Sequence, residues 1–273
     1  MLEEKDKDEE IIEFLENYEY SESLSIFFSL RKDCLGVIDP PIVLEHQIQK
    51  SDGSRISIQD LEMLVKDGEL RKLKVPRSIP SKNMTSCIGY SLKSDIFRVL
   101  NIRIREKYLN LENQVNGCFL DCLFNGEKRV SLLQEISRLI KVVFQDFKTI
   151  SANNKQLSDH LSLISNSWKS EYRICENHNK ILDGDFLLDI LIRFGILRRD
   201  ASDLHNLIFT TPSMGLFIQF LESGNSIIVN SLRRSKYKEL FEDKFYSLKL
   251  GKSLLPIDFH LKDLHGTGII KRM

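Results

Sequence analysis

Along the first thirty residues Ile11, Ile12, Leu15, Leu24, Phe27 and Phe28 recur at helical intervals, which predicts one or two amphipathic helices up to about Leu30. A Pro-Pro pair at 40–41 then interrupts the pattern. Proline is tolerated in a first helical turn, so Ile42, Val43 and Ile48 predict a short helix starting there. After the polar SDGSR turn, Ser57 is an N-cap, Leu61, Leu64 and Val65 form an apolar face, and Gly68 is a stop; together they predict a second short helix. The period changes at Leu70-Arg71-Lys72-Leu73-Lys74-Val75, which mixes apolar and basic residues as a half-buried strand does and is bounded by Pro76 and Pro80. A partner strand is expected near Ser86–Leu92 and a helix from about Ser94 to Tyr108. Helix, helix, strand, loop, strand is the order of a winged helix, and 273 residues have room for three such units.

The order recurs. Residues 130–150 predict a long amphipathic helix, whereas 151–180 are polar, rich in Asn, Ser and Lys, and predict a linker. Asp185–Arg193 predicts a helix ended by Gly195, with strands at Ile196-Leu197 and His205–Thr211. Two further helices are expected at Ser213–Leu221 and Ser226–Phe245, a short one at Phe259–Leu264, and an apolar edge at Ile269-Ile270. Segments 57–75, 185–197 and 259–270 suggest a weak structural repeat. The expected fold class is therefore α+β, mainly helical, with three tandem winged-helix domains carrying small β-wings. An acidic arm and helix would occupy 1–30, and the three units 31–110, 125–212 and 213–273.

Composition supports a packed chain. A 42% share of hydrophobic residues excludes a wholly disordered protein, and 13 Gly with 6 Pro exclude a collagen-like one. No run approaches the roughly 18 apolar residues of a membrane span, and the acidic start MLEEKDKDEE lacks the basic residues of a signal peptide. A soluble intracellular protein that avoids membranes is expected. Five cysteines without regular spacing suit a reducing compartment. The balance of 39 basic and 39 acidic residues hides an asymmetry: residues 1–22 carry ten acids and two lysines, net −8, so the remainder carries +8. Such an arm is either a solvated tail or a segment that screens the body or holds a basic partner.

Candidate chemistry is sparse. Phosphoryl transfer by a kinase needs a glycine-rich loop, a following lysine, a catalytic-loop Asp and a metal-binding Asp. Here the only G-x-G is Gly266-Thr267-Gly268, seven residues before Met273; no His precedes Arg-Asp, and Asp185-Phe186 is followed by Leu187. Cys118, Cys122, Cys175 and His178 could supply zinc ligands, but Cys118 and Cys122 sit one helical turn apart among Phe119, Leu120, Leu123 and Phe124, as core thiols do. Neither a metal nor another cofactor is expected. Between Ile227 and Lys252 stand Arg233, Arg234, Lys236, Lys238, Lys244, Lys249 and Lys252 against three acids, net +4. Ile228, Leu232 and Leu240 give this stretch an apolar side, so a helix there would show a basic stripe suited to phosphates, with Tyr237 able to stack or donate. A solvated face without a ligand has the same pattern. Arg198 and Arg199, entering a strand, form a second basic set, and Arg71, Lys72 and Lys74 on the first wing a third. Trp168, Phe217, Phe220, Phe241 and Phe245 read as core or interface residues.

Five segments carry a resemblance: Asp39-Pro40-Pro41-Ile42-Val43-Leu44, Asp67-Gly68-Glu69-Leu70-Arg71, Gly215-Leu216-Phe217-Ile218, Ser231 through Leu240, and His260-Leu261-Lys262-Asp263-Leu264-His265-Gly266. In order and spacing they resemble the serine/threonine-protein kinase 19 family, from about residue 35 to 270. The resemblance implies three tandem winged helices, a nuclear location, binding of double-stranded DNA, and support of transcription-coupled nucleotide excision repair beside stalled-transcription and repair proteins. It shifts the basic segment 233–238 from a solvated face to the principal DNA-contacting set. The expectation is a monomeric, non-enzymatic adaptor. The rival is a protein-interaction scaffold whose winged helices bind no DNA, and a serine/threonine kinase, as the family name says, comes third.

Overall fold

The structure is a computed structural model that describes residues 21–48, 57–81, 84–114, 138–172, 184–200 and 202–271. The acidic arm up to residue 20 and the zinc candidates Cys118, Cys122, Cys175 and His178 lie outside the described residues.

The first unit opens on α1 (Glu22–Cys34), where the Ser21 hydroxyl accepts from the Leu24 amide. There follow β1 (Val43–Leu44), a 3₁₀ turn (Glu45–Gln47), α2 (Gln59–Asp67), β2 (Leu70–Ser81) and β3 (Met84–Leu92). All pairings are antiparallel, and the strand order is β1-β3-β2. The helix expected at 42–48 is thus corrected to a strand and a 3₁₀ turn. The reason is burial: Val43 and Leu44 are wholly enclosed and pair with Tyr90 and Gly89 of the sheet. Gly68 stops α2 as expected, in the left-handed conformation at φ 87°.

Helix α3 (Lys93–Gln114) leads away, and a helix at 138–146, here α4, begins the second unit. It continues with β4 (Ser151–Asn153), α5 (Asn154–Tyr172), α6 (Gly184–Arg193), β5 (Leu197–Arg199) and β6 (Asn206–Phe209). The strand order, β4-β6-β5, repeats that of the first sheet. Over 151–172 the expected polar linker is therefore corrected to a strand and a 19-residue helix, and its remainder at 173–180 lies outside the described residues. The helix's buried stripe, Leu157 and Leu161 with Ile164 packed alongside, is too narrow to stand out among Ser and Asn.

Residues 213–271 hold α7 (Met214–Arg234), α8 (Glu242–Tyr246) and α9 (Ile257–Gly266), and no strand among the described residues. Nor is this segment a separate globule. Met214, Phe217, Phe220, Leu221, Leu255 and Phe259 belong to the same core as α1, α2 and the first sheet, so the expected boundary at 213 cuts through one hydrophobic cluster. The molecule is thus mixed helix and strand, with two small antiparallel sheets and a helical segment folded back over the first.

Polar groups make that return specific. Asp263 is fully buried on α9 and accepts from Arg77 of β2, from His46 Nε2 at 2.5 Å and from Asn225 Nδ2 at 2.6 Å. Burial alone would raise its pKa, but the bonds from His46 and Asn225 and the charge of Arg77 outweigh it and hold the carboxyl below its usual range. Asn225 Oδ1 lies 2.9 Å from His260 Nδ1, and His260 Nε2 lies 2.8 Å from Ser253 Oγ. Gly224 makes room for this imidazole: a Cβ there would come within 2.3 Å of the ring, which explains why Glu-Ser-Gly-Asn at 222–225 is helix interior where sequence suggested a break.

The two sheet units are joined through Arg71, which is 3% exposed. Its guanidinium donates to the carbonyl oxygens of Phe147 and, at 2.8 Å, Thr149, and stacks 3.8 Å over the Phe209 ring. Burial lowers its pKa to about 9, leaving it charged at neutral pH. The expectation that Arg71 contacts DNA is corrected here: the side chain is buried and both terminal nitrogens of its guanidinium donate to the second unit's backbone. A buried bidentate pair, Arg31 with Asp95 at 2.7 and 2.8 Å, fixes α1 to α3, whose Ile96 and Leu100 enter the second core.

Two outcomes follow. Arg71→Ala leaves two carbonyls without their buried donor and is expected to lower the unfolding free energy by about 2–4 kcal/mol in chemical denaturation; a loss under about 0.5 kcal/mol would mark an exposed wing residue instead. The second concerns acid. Burial depresses His260 from 6.5 to about 4, so between those values the unfolded chain binds the extra proton and the folded chain does not. Stability therefore declines as pH falls from 6.5 towards 4, by on the order of 3 kcal/mol from this imidazole, and the depressed Asp263 adds to the loss in acid. Thermal melts across this window check it; a flat melting temperature would contradict the network.

Candidate nucleic-acid interface

The basic segment is built at the end of α7. Ile228 is buried and Val229 and Leu232 pack beside it, with Phe245 and Leu264 completing a small apolar cluster. Arg233 and Arg234, in the last turn, are exposed. Cations there also face the negative end of the helix dipole. The helix then stops, against the expectation of one helix over 226–245. Ser235 caps it through its amide, and its hydroxyl donates to Glu239 O at 2.6 Å. Lys238 donates its amide to Ser235 O at 3.1 Å with φ 57°. Lys236 and Lys238 therefore stand on a tight turn, not on a helical stripe. Half-buried Leu240 anchors the turn, and buried Phe245 anchors α8.

All seven cations from Arg233 to Lys252 are exposed, and none makes an ion pair among the described residues. Interleaved with them are Tyr237, 70% exposed, and Phe241, 80% exposed. Of the rings read as core or interface, Phe217, Phe220 and Phe245 are buried, whereas the chain turns at 235–240 and leaves that of Phe241 in solvent. The side chain of Trp168 lies outside the described ones.

The other two basic sets fare differently. Arg199 is exposed and Arg198 half-buried on β5. Lys72 is held by Glu62 at 2.5 Å and Lys74 by Asp200 at 3.4 Å, so on the first wing the charges are partly neutralised. The helices preceding each hairpin, which a winged helix would offer to a DNA groove, are acidic. Helix α2 carries Asp60, Glu62 and Asp67 against Lys66, and α6 carries Asp185 and Asp189 against Arg193.

Among the described residues, hydrolytic and metal chemistry find no footing. Ser253, His260 and Asn225 form a hydroxyl–imidazole–amide string, but His260 is fully buried and Ser253 only 9% exposed, so a substrate cannot approach. Among the described residues no group of three His, Cys, Asp or Glu side chains is disposed to hold a metal ion, and no helix is long and apolar enough to cross a membrane. Cys34 and Cys87 are buried free thiols whose pKa values burial raises.

Comparison with known proteins agrees with the absence of kinase elements. "Winged helix repair factor 1" of Dictyostelium discoideum is 22% identical over 240 residues, covering 85% of this chain and 56% of the relative, so the chain spans little more than half of that protein's length. A family described as inactive serine-threonine protein kinase 19 matches residues 27–249, which hold the first sheet, the second sheet and most of the basic segment. The chain belongs to that inactive serine-threonine protein kinase 19 family.

Proposed function

We propose that this protein binds double-stranded DNA through its phosphate backbone and acts in the nucleus as an adaptor in repair of transcription-blocking lesions, working with stalled-transcription and repair proteins. One observation carries the reading: seven exposed cations, without an ion pair among the described residues, lie within residues 233–252. Such an array releases counterions when it meets a polyanion, and the net charge of +4 favours the encounter. The name of the Dictyostelium relative supports the repair role and the winged-helix architecture. Each unit has a helix, a short strand and then a helix that leads into an antiparallel hairpin, with matching strand orders, and this supports two of the three winged helices. The third would be built on 213–273, with α7–α9 as its helices and part of its core shared with the first unit. Acidic α2 and α6 argue for a phosphate-led mode without base readout from those helices. Arg233, Arg234, Lys236 and Lys238 are its principal contacts, Arg198 and Arg199 its second set, and paired Lys72 and Lys74 a marginal third.

The test is duplex binding by fluorescence anisotropy at several salt concentrations. Arg234→Glu with Lys236→Glu is expected to remove most binding to any duplex sequence, and each neutralised contact to lower the log–log salt slope by about one. Both positions are exposed, so the melting temperature stays near that of the parent. Parent-like binding by the folded double variant would move the function to a protein-interaction scaffold.

A further inference from the structure

The turn after α7 shows an unpaired strand something that a duplex cannot use. Phe241 is the most exposed large apolar residue among the described ones at 80%, with Tyr237 next in this segment at 70%. Neither ring packs on another ring among the described residues. Tyr246, also exposed, differs because its hydroxyl is fixed to Asp258 at 2.6 Å. Tyr237 is flanked by Lys236, whose Nζ lies 5.2 Å from its ring centre, and by Lys238. The backbone that carries it is constrained: Lys238 is the one non-glycine residue with positive φ among the described residues, and the Ser235 hydroxyl clamps the loop to Glu239 O. Sidechain-bearing residues adopt this conformation at a cost, and such strain gathers at binding sites.

Phosphates satisfy the cations, but in a duplex the base faces are stacked on one another and leave the rings in water. A strand with unpaired bases presents both partners, charge for Arg233, Arg234 and Lys236 and π-faces for the aromatics. We infer that the 233–241 turn is a binding site for unpaired nucleic acid, with bases stacking on Tyr237 and Phe241, so that the protein prefers the border between paired and unpaired DNA to a blunt duplex. The inference rests on the proposed nucleic-acid role of this segment and adds to it the structure of the preferred substrate.

The test compares a blunt duplex, the same duplex with a ten-nucleotide single-stranded extension, and that extension built from abasic sites, all by anisotropy with the full chain. The parent is expected to bind the normal extension at least about fivefold more tightly than either the blunt or the abasic form, within the range of a stacked base. Tyr237→Ala with Phe241→Ala should erase that preference, so that this variant binds the extended, abasic and blunt forms alike, and 2-aminopurine in the extension should be quenched by the parent only. Phe241→Leu separates stacking from mere apolar cover, since it keeps bulk and loses the π-face. The inference is overturned if removal of the bases has no effect, or if the aromatic double variant keeps the preference; duplex binding that still depends on Arg234 and Lys236 would then leave the phosphate-binding function standing. Absence of binding to all three DNAs would overturn both and point to an acidic protein as the occupant of this surface.

Discussion

Enclosing the carboxylate of Asp263 obliges the chain to bring it donors from segments far apart in sequence, and much of the molecule's shape is the solution to that requirement. An unpaired buried carboxylate is strongly unfavourable, and one that receives several charged or amide donors is not. His46 from the 3₁₀ turn, Arg77 from the long hairpin and Asn225 from α7 all reach it. The hairpin, the turn and both C-terminal helices are thereby locked into one arrangement. Phe217 and Phe259 meet edge to face beneath the network, and Gln47 donates to Phe259 O at 2.9 Å, so apolar packing and polar satisfaction select the same docking. Gly266 belongs to the same device, since a Cβ there would collide with the His46 carbonyl.

This arrangement separates the stabilising charges from those left to solvent. Arg31, Arg71 and Arg77 are buried and bonded within the protein, whereas Arg233, Arg234, Lys236 and Lys238 are exposed and make no ion pair among the described residues. The exposed group sits where a helix ends and a clamped turn begins, a rigid base for long cationic side chains. Buried Ile228 and Phe245 hold that base from below. A polyanion-binding role therefore asks nothing of the core, and substitutions on this face can be read as binding effects.

Local pattern made some of this legible and hid the rest for definable reasons. The two hairpins and the Gly68 stop were visible because period-two strands and left-handed glycines leave marks within a few residues. Strand β1 escaped because two residues are too few for a period, and α5 because its buried stripe is only a few residues wide. Arg71 was misread as solvent-facing, although its parity gave a clue: it lies on the same side of β2 as Leu73 and Val75, all three buried. The face that covers it comes from the second unit, 76 and 78 residues away, beyond the reach of any local pattern. At the basic segment charge density alone singled out the residues, but the sequence pattern carried a helix on through Lys238 where the structure ends it at Arg234, and it gave no sign that Phe241 is exposed. Both depend on a turn whose clamp, Ser235 to Glu239, is a tertiary detail of one loop.

The central claim, that the end of α7 and the following turn meet DNA while the acidic helices of the two sheet units do not, is most directly tested by lysine footprinting. An amine-reactive reagent applied with and without saturating duplex, read by peptide mass spectrometry, should show Lys236, Lys238 and Lys244 protected by DNA and exposed Lys66 on α2 unchanged. Protection of Lys66 with undiminished labelling of Lys236 and Lys238 would contradict the account and return the contact to the helix of the first unit.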